Sequence, residues 1–163
     1  MNYNEKAPTF YETNLIISKV IDGDSLIVKN IFSKQEKEIR LYGIDAPENK
    51  KNKKLIRDEK VTHLAGEFLI MLGMLSTKYV LNIAPPGTKI SISTEYNNYY
   101  DFYNRQLAYV FLSDGSCLNE ILVRDGYAKT MEEYYCTMLP QLQSLSFDAQ
   151  KNRRGLYAIS NNF

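Results

Sequence analysis

Three short segments near the start of the chain are rich in β-branched residues and are separated by turn signals. They cover residues 15–21, 25–31 and 38–44, and Asp22-Gly23-Asp24 joins the first two. Segments of this length and composition predict β-strands, and an Asp-Gly pair predicts a turn. The first part of the chain is therefore predicted to form a sheet of short strands, and a long helix can occur only in the residues that follow.

Helical patterns appear only after this strand-rich part. Residues 63–83 place Leu and Phe at helical spacing, and shorter helical patterns cover residues 117–125 and the stretch from near Pro140 to Gly155. Between the last early strand and the first helix, residues 49–60 are basic and polar, so the sequence predicts a loop there. The sequence therefore predicts three helices.

Two further strand patterns, over residues 88–94 and 106–112, bring the predicted inventory to five strands and three helices. This inventory describes an α+β domain and fits a five-stranded Greek-key β-barrel of the OB-fold type, although strand number alone does not separate a barrel from an open sheet. A chain of 163 residues suits one domain. We assign residues 1–13 to a polar N-terminal lead-in, 14–158 to the domain and 159–163 to a C-terminal tail.

The composition limits the class of protein. The formal net charge of +1 provides no overall basic field, so binding of a polyanion would depend on local clusters. Two cysteines, Cys117 and Cys136, fit neither a disulfide framework nor a metal motif. The sequence shows no membrane-length apolar run and no secretory signal in residues 1–14. We therefore expect a cytoplasmic protein if Met1 is the natural start, and a secreted protein if the natural chain begins further upstream.

Three acidic residues lie at predicted strand ends, where side chains can converge without entering the core. Asp24, Asp45 and Glu48 each follow an apolar run. Carboxylates and carbonyl oxygens are the ligands of hard cations such as Ca²⁺. These residues can also be explained as turn formers, since Asp is common after strands, and for Asp24 alone this is clearly the better explanation. The three together favour a cation site.

Arg40 and Arg105 both lie beside apolar strand residues. A guanidinium that is partly buried needs a partner, and it binds phosphate in a planar, bidentate manner. Two such groups could clamp a phosphodiester, while structural salt bridges to Asp or Glu explain them at least as well from spacing alone. Arg40 and Asp45 are five positions apart, so they can converge only if the strand bends, and Gly43 is the candidate for that bend.

Four stretches occur in an order that is specific when they are taken together: VIDGDSLIV, IRLYGIDAPE, YNRQLAYVFLSDG and LNEILVRDGYA. On these stretches the chain resembles the staphylococcal nuclease (thermonuclease) family over residues 15–157. The resemblance implies an OB-fold barrel with three helices. It also implies an enzyme that uses Ca²⁺ to hydrolyse phosphodiester bonds of DNA and RNA and leaves 3′-phosphate ends.

The same resemblance implies roles for the acidic residues. Asp24 and Asp45 would bind Ca²⁺ directly, together with the main-chain carbonyl of Ala46. Glu48 would reach the ion through a water molecule and would orient or deprotonate the attacking water. Asp22 would support the site without touching the ion.

The resemblance implies substrate contacts as well. Arg40 and Arg105 would grip the scissile phosphate, with Arg105 nearest the leaving oxygen. Tyr103 and Tyr134 stand at positions where the family contacts the nucleotide, whereas Glu132 occupies a further position at which the family has a tyrosine. The site is therefore expected to bind nucleotides with a changed base pocket.

We therefore predict a monomeric, calcium-dependent endonuclease that acts on DNA and RNA and does not bind membranes. Single strands should be favoured, because a pocket for unstacked bases needs them exposed. The alternative is a non-catalytic OB-fold module that binds single-stranded nucleic acid, and a third is a protein-interaction domain that keeps these residues by descent. The lysines and arginine of residues 50–57 could contact flanking phosphates or form a solvated loop.

Overall fold

The computed structural model describes residues 8–163, and within that range the strands form a closed five-stranded barrel and a separate two-stranded sheet. In chain order the strands are β1 (Thr9–Asp22), β2 (Ser25–Asn30), β3 (Glu36–Leu41), β4 (Ile44–Asp45), β5 (Lys89–Glu95), β6 (Gln106–Leu112) and β7 (Lys129–Thr130). The barrel order is β1-β2-β3-β6-β5, with β3 and β6 parallel and β5 paired back onto β1. β4 and β7 form the small sheet. The predicted five-stranded barrel and α+β class are confirmed.

β1 closes the barrel because it is long enough to pair with two neighbours. Its first half pairs with β5 and its second half with β2, and a register shift falls between Glu12 and Leu15. Such irregularities bend a strand and increase its twist. In the structure β1 begins at Thr9, earlier than the strand predicted from Leu15. The sequence did not indicate this extension because residues 9–14 are mostly exposed and show no alternation of apolar and polar residues. The beginning of the predicted lead-in, residues 1–7, lies outside the described residues.

Helices cover the barrel on its outside. Within residues 8–163 they are α1 (Lys53–Thr62), α2 (Gly66–Ile83), α3 (Leu118–Arg124) and α4 (Leu139–Lys151), followed by a 3₁₀ turn over Gly155–Ala158. In this part of the chain no single helix has both the length and the apolar character to cross a bilayer, although α1 and α2 pass together on length and composition despite the 109° bend between them.

The helix count differs from the predicted three because α1 lies in the segment that was predicted as a loop. The Asn52 side chain accepts the main-chain N–H of Leu55 at 2.9 Å and so caps the first turn. Leu55 is buried and anchors this otherwise polar helix. His63, with φ of 58°, ends α1, so the long helix that was predicted from residue 63 begins only at Gly66.

The barrel interior is filled by apolar residues that alternate along the strands. One fully buried residue from each barrel strand shows the pattern: Ile17, Val28, Ile39, Ile92 and Val110. Burial of a side chain of this size contributes about 1.5–3 kcal/mol to stability. The functional residues described next lie beyond these apolar positions, at strand ends.

The end of the described chain packs on the protein. Phe163 is buried, and its ring centroid lies 4.8 Å from that of Tyr157. Lys129 Nζ donates a hydrogen bond of 2.5 Å to the main-chain carbonyl of Phe163. Residues 159–163, which the sequence assigns to a tail, therefore include an apolar anchor.

Candidate active site

The turn between β3 and β4 brings Arg40 and Asp45 to the same side of the chain. Gly43 has φ of 69°, a left-handed conformation that favours glycine. A Cβ atom on this residue would lie 2.7 Å from Leu142 Cδ1 and 2.8 Å from Cys136 Sγ, so these two buried side chains would have to move to admit one. The bend expected at Gly43 is present, and it lets side chains that strict alternation would separate meet in one place.

Arg40 is the centre of a buried ion-pair cluster. Its Nη2 lies 3.3 Å from Asp24 Oδ2 and 3.4 Å from Asp45 Oδ1. Its Nη1 donates to the carbonyl oxygens of Leu41 at 3.2 Å and Asp24 at 3.4 Å. Burial alone would lower the pKa of Arg40, but the two carboxylates outweigh burial and raise it. The salt-bridge role considered from the sequence is therefore real, and it places a guanidinium between two of the predicted metal ligands.

The surroundings shift the pKa values of the aspartates in different directions. Burial disfavours the charged form of Asp24, but Arg40 and the N–H of Ala46, which donates to Asp24 Oδ2 at 2.7 Å, lower its pKa. Burial dominates for Asp45, so its pKa is raised. Burial and the charge of Asp24 raise the pKa of Asp22 to about 8. Asp22 Oδ1 accepts a hydrogen bond from the main-chain N–H of Asp24 at 3.0 Å, so it fixes the main chain of that residue.

Lys54, in the first turn of α1, is part of this cluster, and its role was not foreseen from the sequence. Its Nζ lies 3.1 Å from Glu48 Oε1, 3.2 Å from Asp45 Oδ1, 3.2 Å from Asp58 Oδ2 and 3.3 Å from the carbonyl oxygen of Ala46. Burial opposes the charged form, but the surrounding acids outweigh it and raise the pKa of Lys54. Four oxygen atoms therefore converge on one ammonium group.

Glu48 is fixed from two directions. Its Oε1 contacts Lys54, and its Oε2 accepts a hydrogen bond from Asn52 Nδ2. Its main chain packs on α2 at Gly73, where a Cβ atom would lie 2.3 Å from the Glu48 carbonyl oxygen and 2.6 Å from that of Pro47. The absence of a side chain at Gly73 is thus what lets the Pro47-Glu48 segment approach the helix.

The acidic groups do not surround an open cation position together. In the described part of the chain, no group of three or more His, Cys, Asp or Glu side chains is arranged to hold a metal ion. Asp24 faces Arg40 and the Ala46 N–H, while Asp45 and Glu48 face Lys54. The oxygen atoms around Lys54 are nevertheless carboxylates and a carbonyl, which is the donor chemistry of a hard divalent cation. The residues therefore fit Ca²⁺ by type, with an ammonium group among them.

Arg105 immediately precedes β6, which pairs with β3, and its guanidinium reaches Ser25 at the start of β2. Its Nη1 lies 3.3 Å from Ser25 Oγ, and Ser25 Oγ in turn donates to Asp24 Oδ1 at 3.2 Å. Its Nε donates to Asp101 Oδ2 at 2.7 Å, and its Nη1 also lies 3.4 Å from Glu38 Oε1. Arg105 is less buried than Arg40, with 26% of its side chain exposed. One hydroxyl group therefore connects the second arginine to the carboxylates.

Aromatic side chains lie beside the arginines. Tyr103 is 78% exposed, and Arg105 Cζ lies 5.5 Å from the centroid of its ring. Phe102 is fully exposed on the same loop. Tyr134 is half-buried, and its hydroxyl is a buried side-chain polar atom without a hydrogen-bond partner among the described residues. Such an atom is costly to leave unpaired, so Tyr134 has an unused hydrogen-bonding group close to the site.

A basic surface adjoins Glu48. The exposed cations on α1 and on the loop before it are Lys50, Lys51, Lys53, Arg57 and Lys60. They differ from Lys54, which turns inward. This surface offers positive charge to a polyanion next to the buried cluster.

The model of the family described as staphylococcal nuclease homologue matches residues 38–159. The chain is 30% identical over 149 residues to Endonuclease YhcR of Bacillus subtilis (strain 168), a match that covers 87% of this chain and 11% of that protein. It is 29% identical over 145 residues to proteins named Uncharacterized endonuclease from Escherichia coli O157:H7 and from Escherichia coli. Each of those matches covers 87% of this chain and 75% of the relative. The chain thus spans only a small part of YhcR and most of the other two relatives.

Proposed function

Because the chain belongs to the staphylococcal nuclease homologue family, we propose that it is a calcium-dependent endonuclease that hydrolyses phosphodiester bonds of DNA and RNA and leaves 3′-phosphate ends. The endonuclease names of its relatives support the nuclease part of this proposal. The metal, the 3′-phosphate products and the choice of substrate go beyond those names, and we propose them for this chain because the family resemblance implies them.

One observation carries the proposal. Oxygen atoms of Asp45, Ala46 and Glu48 converge on a single cation, the ammonium of Lys54, at 3.1–3.3 Å. The family resemblance assigns these donors to Ca²⁺, with Glu48 acting through a water molecule. Arg40 Nη2 contacts both Asp45 Oδ1, at 3.4 Å, and Asp24 Oδ2, at 3.3 Å. The chain therefore gathers negative oxygen atoms and a guanidinium at one point, as hydrolysis of a phosphodiester requires.

The proposal assigns the metal ion to particular residues of this chain. The family generally depends on a metal ion, and Asp24, Asp45 and the Ala46 carbonyl are the residues that would hold Ca²⁺ in this chain. A bound divalent ion supplies polarisation of the phosphate and neutralisation of its growing charge. Flexible coordination by oxygen donors is what Ca²⁺ accepts, so water can complete the ligand set.

Protein groups supply the remaining functions. Glu48 Oε2 is held by Asn52, so the carboxylate is oriented to accept a proton from a water molecule. Arg40 is held by its ion pairs with Asp24 and Asp45, so it contributes positive charge to the site rather than a bidentate hydrogen bond to phosphate. Within residues 8–163 the Nη2 of Arg105 makes no hydrogen bond, so this nitrogen can donate to a phosphate oxygen. Arg105 is therefore the residue we expect to contact the substrate most directly.

Single-stranded nucleic acid is the substrate that this surface favours. Tyr103 and Phe102 expose aromatic faces on which unstacked bases can pack. Tyr134 offers an unpaired hydroxyl beside the cluster. Exposed bases are available only in single strands or locally opened duplexes, so we expect these to be cut faster than closed duplex.

Cleavage assays with matched variants test the proposal. Plasmid and single-stranded DNA are incubated with the protein in Ca²⁺ or in chelator, and the assays are repeated with Glu48→Gln and Arg105→Ala. We expect cleavage only with Ca²⁺, a loss of roughly 10²–10⁴-fold for Glu48→Gln and of roughly 10²–10³-fold for Arg105→Ala. Glu67→Gln, an exposed residue in the first turn of α2, is the control and should cleave normally.

The same assay separates the enzyme from a binding module. Binding of single strands that survives chelation, with the DNA intact in every condition, would contradict the proposal and support the non-catalytic OB-fold alternative. Cleavage that is unaffected by both Glu48→Gln and Arg105→Ala would place the chemistry elsewhere on the chain.

A further inference from the structure

The ammonium of Lys54 lies among the oxygen atoms that a metal ion would need. Its distances to Asp45 Oδ1, Glu48 Oε1 and the Ala46 carbonyl oxygen are 3.2, 3.1 and 3.3 Å. A Ca²⁺ ion binds oxygen at about 2.3–2.6 Å. One ammonium and one divalent ion cannot share this position, because their charges repel and their oxygen partners are the same.

The position of Lys54 follows from the local sequence. Asn52 caps α1 through its side-chain oxygen and holds Glu48 through its side-chain nitrogen. The capped helix then directs Lys54 toward the strand ends, with 24% of its side chain exposed, while its neighbour Lys53 is exposed. Lys54 is therefore built into the site rather than resting against it from solvent.

Asp58 provides a second place for the same charge. It lies one helical turn after Lys54, and its Oδ2 is 3.2 Å from Lys54 Nζ. Residues four apart on a helix are neighbours whatever lies beyond the helix. If the ammonium leaves Asp45, Ala46 and Glu48, it can remain paired with Asp58.

We propose that Lys54 is a tethered cation that occupies the divalent-ion position of this site and withdraws to Asp58 when the metal ion binds. Lys54 thereby neutralises the acids while no metal is bound, and it lowers the affinity for the metal by competing with it. The proposal rests on the proposed calcium-dependent function, because it assigns the regulation of that same site. It predicts a weaker metal site than these oxygen donors alone would form.

Calcium affinity is the direct readout, measured by isothermal titration without any substrate. The variants are Lys54→Met, which keeps a long side chain and removes the charge, and Lys53→Met, which makes the same change one residue away on the exposed side. Lysine and methionine have about the same helix propensity, so neither substitution should disturb α1. We expect Lys54→Met to bind Ca²⁺ roughly tenfold more tightly than the unsubstituted protein, because a unit positive charge leaves the ion's position. Lys53→Met should change the dissociation constant less than about twofold, since exposed charges are screened.

Asp58→Asn tests the withdrawal without changing Lys54. We expect it to weaken Ca²⁺ binding, because the displaced ammonium loses its second partner. In the double variant with Lys54→Met this effect of Asp58→Asn should largely vanish, which is the coupling that a double-mutant cycle measures. Circular dichroism on each variant shows that folding is retained, and if Lys54→Met does not fold, the result for Asp58→Asn alone decides the matter.

Two failures can be told apart. If the unsubstituted protein and Lys54→Met bind Ca²⁺ with the same affinity, the inference about Lys54 is overturned and the calcium site stands. If none of the variants binds Ca²⁺, the calcium-dependent function is overturned and the inference falls with it. Cleavage in chelator that disappears in Lys54→Met would be the second kind of failure, with the lysine acting in place of a metal.

Discussion

Gly73 of α2 lies directly against the main-chain carbonyl of Glu48, and a Cβ atom at this position would come within 2.3 Å of that oxygen. The neighbours of the missing side chain are backbone atoms of Pro47 and Glu48, which cannot rotate away. We expect Gly73→Ala to displace Glu48, to lower the free energy of unfolding by about 1–3 kcal/mol through overpacking and to slow cleavage at least about tenfold. Urea denaturation and initial rates measure the two effects.

Gly66→Ala is the matched control for this prediction. A Cβ atom at Gly66 would meet the end of the Glu59 side chain, which can move, rather than backbone. Because Gly66 is the first residue of α2 and a Cβ atom there displaces only a flexible side chain, Gly66→Ala should keep stability and should cleave normally. Equal losses in both variants would show that glycine in α2 has no special relation to Glu48.

Arg40 and Arg105 should contribute very differently to stability. Arg40→Met leaves Asp24 and Asp45 buried without their guanidinium, so we expect the free energy of unfolding to fall by about 3 kcal/mol or more. Arg105→Met removes partly exposed ion pairs with Asp101 and Glu38 and should cost at most about 1 kcal/mol. Both should abolish most cleavage. Denaturation curves that shift equally for the two variants would contradict the assignment of Arg40 as the buried centre.

The hydroxyl of Tyr134 should contribute to substrate binding and not to the stability of the fold. Its hydroxyl is buried without a hydrogen-bond partner among the described residues, so Tyr134→Phe removes an unsatisfied group and should leave stability unchanged or slightly raised. If the hydroxyl serves the nucleotide, the same variant raises KM for single-stranded DNA. Tyr103→Ala, which removes an exposed ring, should weaken binding by about 1–3 kcal/mol per stacked base. An unchanged KM for Tyr134→Phe would remove this residue from the substrate site.

The cysteines should react slowly in the folded protein. Cys117 and Cys136 are buried and free, and burial raises the pKa of the Cys117 thiol to about 11 and also raises that of Cys136. Since the thiolate is the reactive form, alkylation of Cys117 should be slow near pH 8 (an ordinary thiol has a pKa of about 8.5) and should accelerate as the pH rises toward its raised pKa. Mass spectrometry after iodoacetamide treatment follows this. Native protein that reacts as fast as unfolded protein would contradict the burial of both thiols.

The sequence predicts the barrel well because its strands carry strong local signals. Apolar or alternating runs bounded by turn signals indicated all five barrel strands, and Gly43 indicated the bend that joins Arg40 to Asp45. α1 was missed because residues 49–60 are mostly charged and only Leu55 and Thr62 of the helix are buried. The helix depends on the Asn52 cap and on tertiary contacts, which override a weak local pattern.

The inward position of Lys54 could not be predicted from the local sequence. It stands in a run of similar lysines, and nothing in composition indicates which of them turns inward. Its spacing from Asp58 was the available hint, because residues four apart share a helix face, but this hint needs the helix to be known first. The pairing of Arg105 with Asp101 likewise depends on the loop after β5, which has no regular pattern.

Product analysis of a defined single-stranded oligonucleotide tests the central claim most directly. The oligonucleotide is incubated with the protein and Ca²⁺, and the fragments are weighed by mass spectrometry. We expect shorter fragments whose masses correspond to 3′-phosphate and 5′-hydroxyl ends, no fragments with chelator, and far fewer fragments in the same time with Glu48→Gln. An oligonucleotide that stays intact in Ca²⁺ while the folded protein binds it would contradict the account.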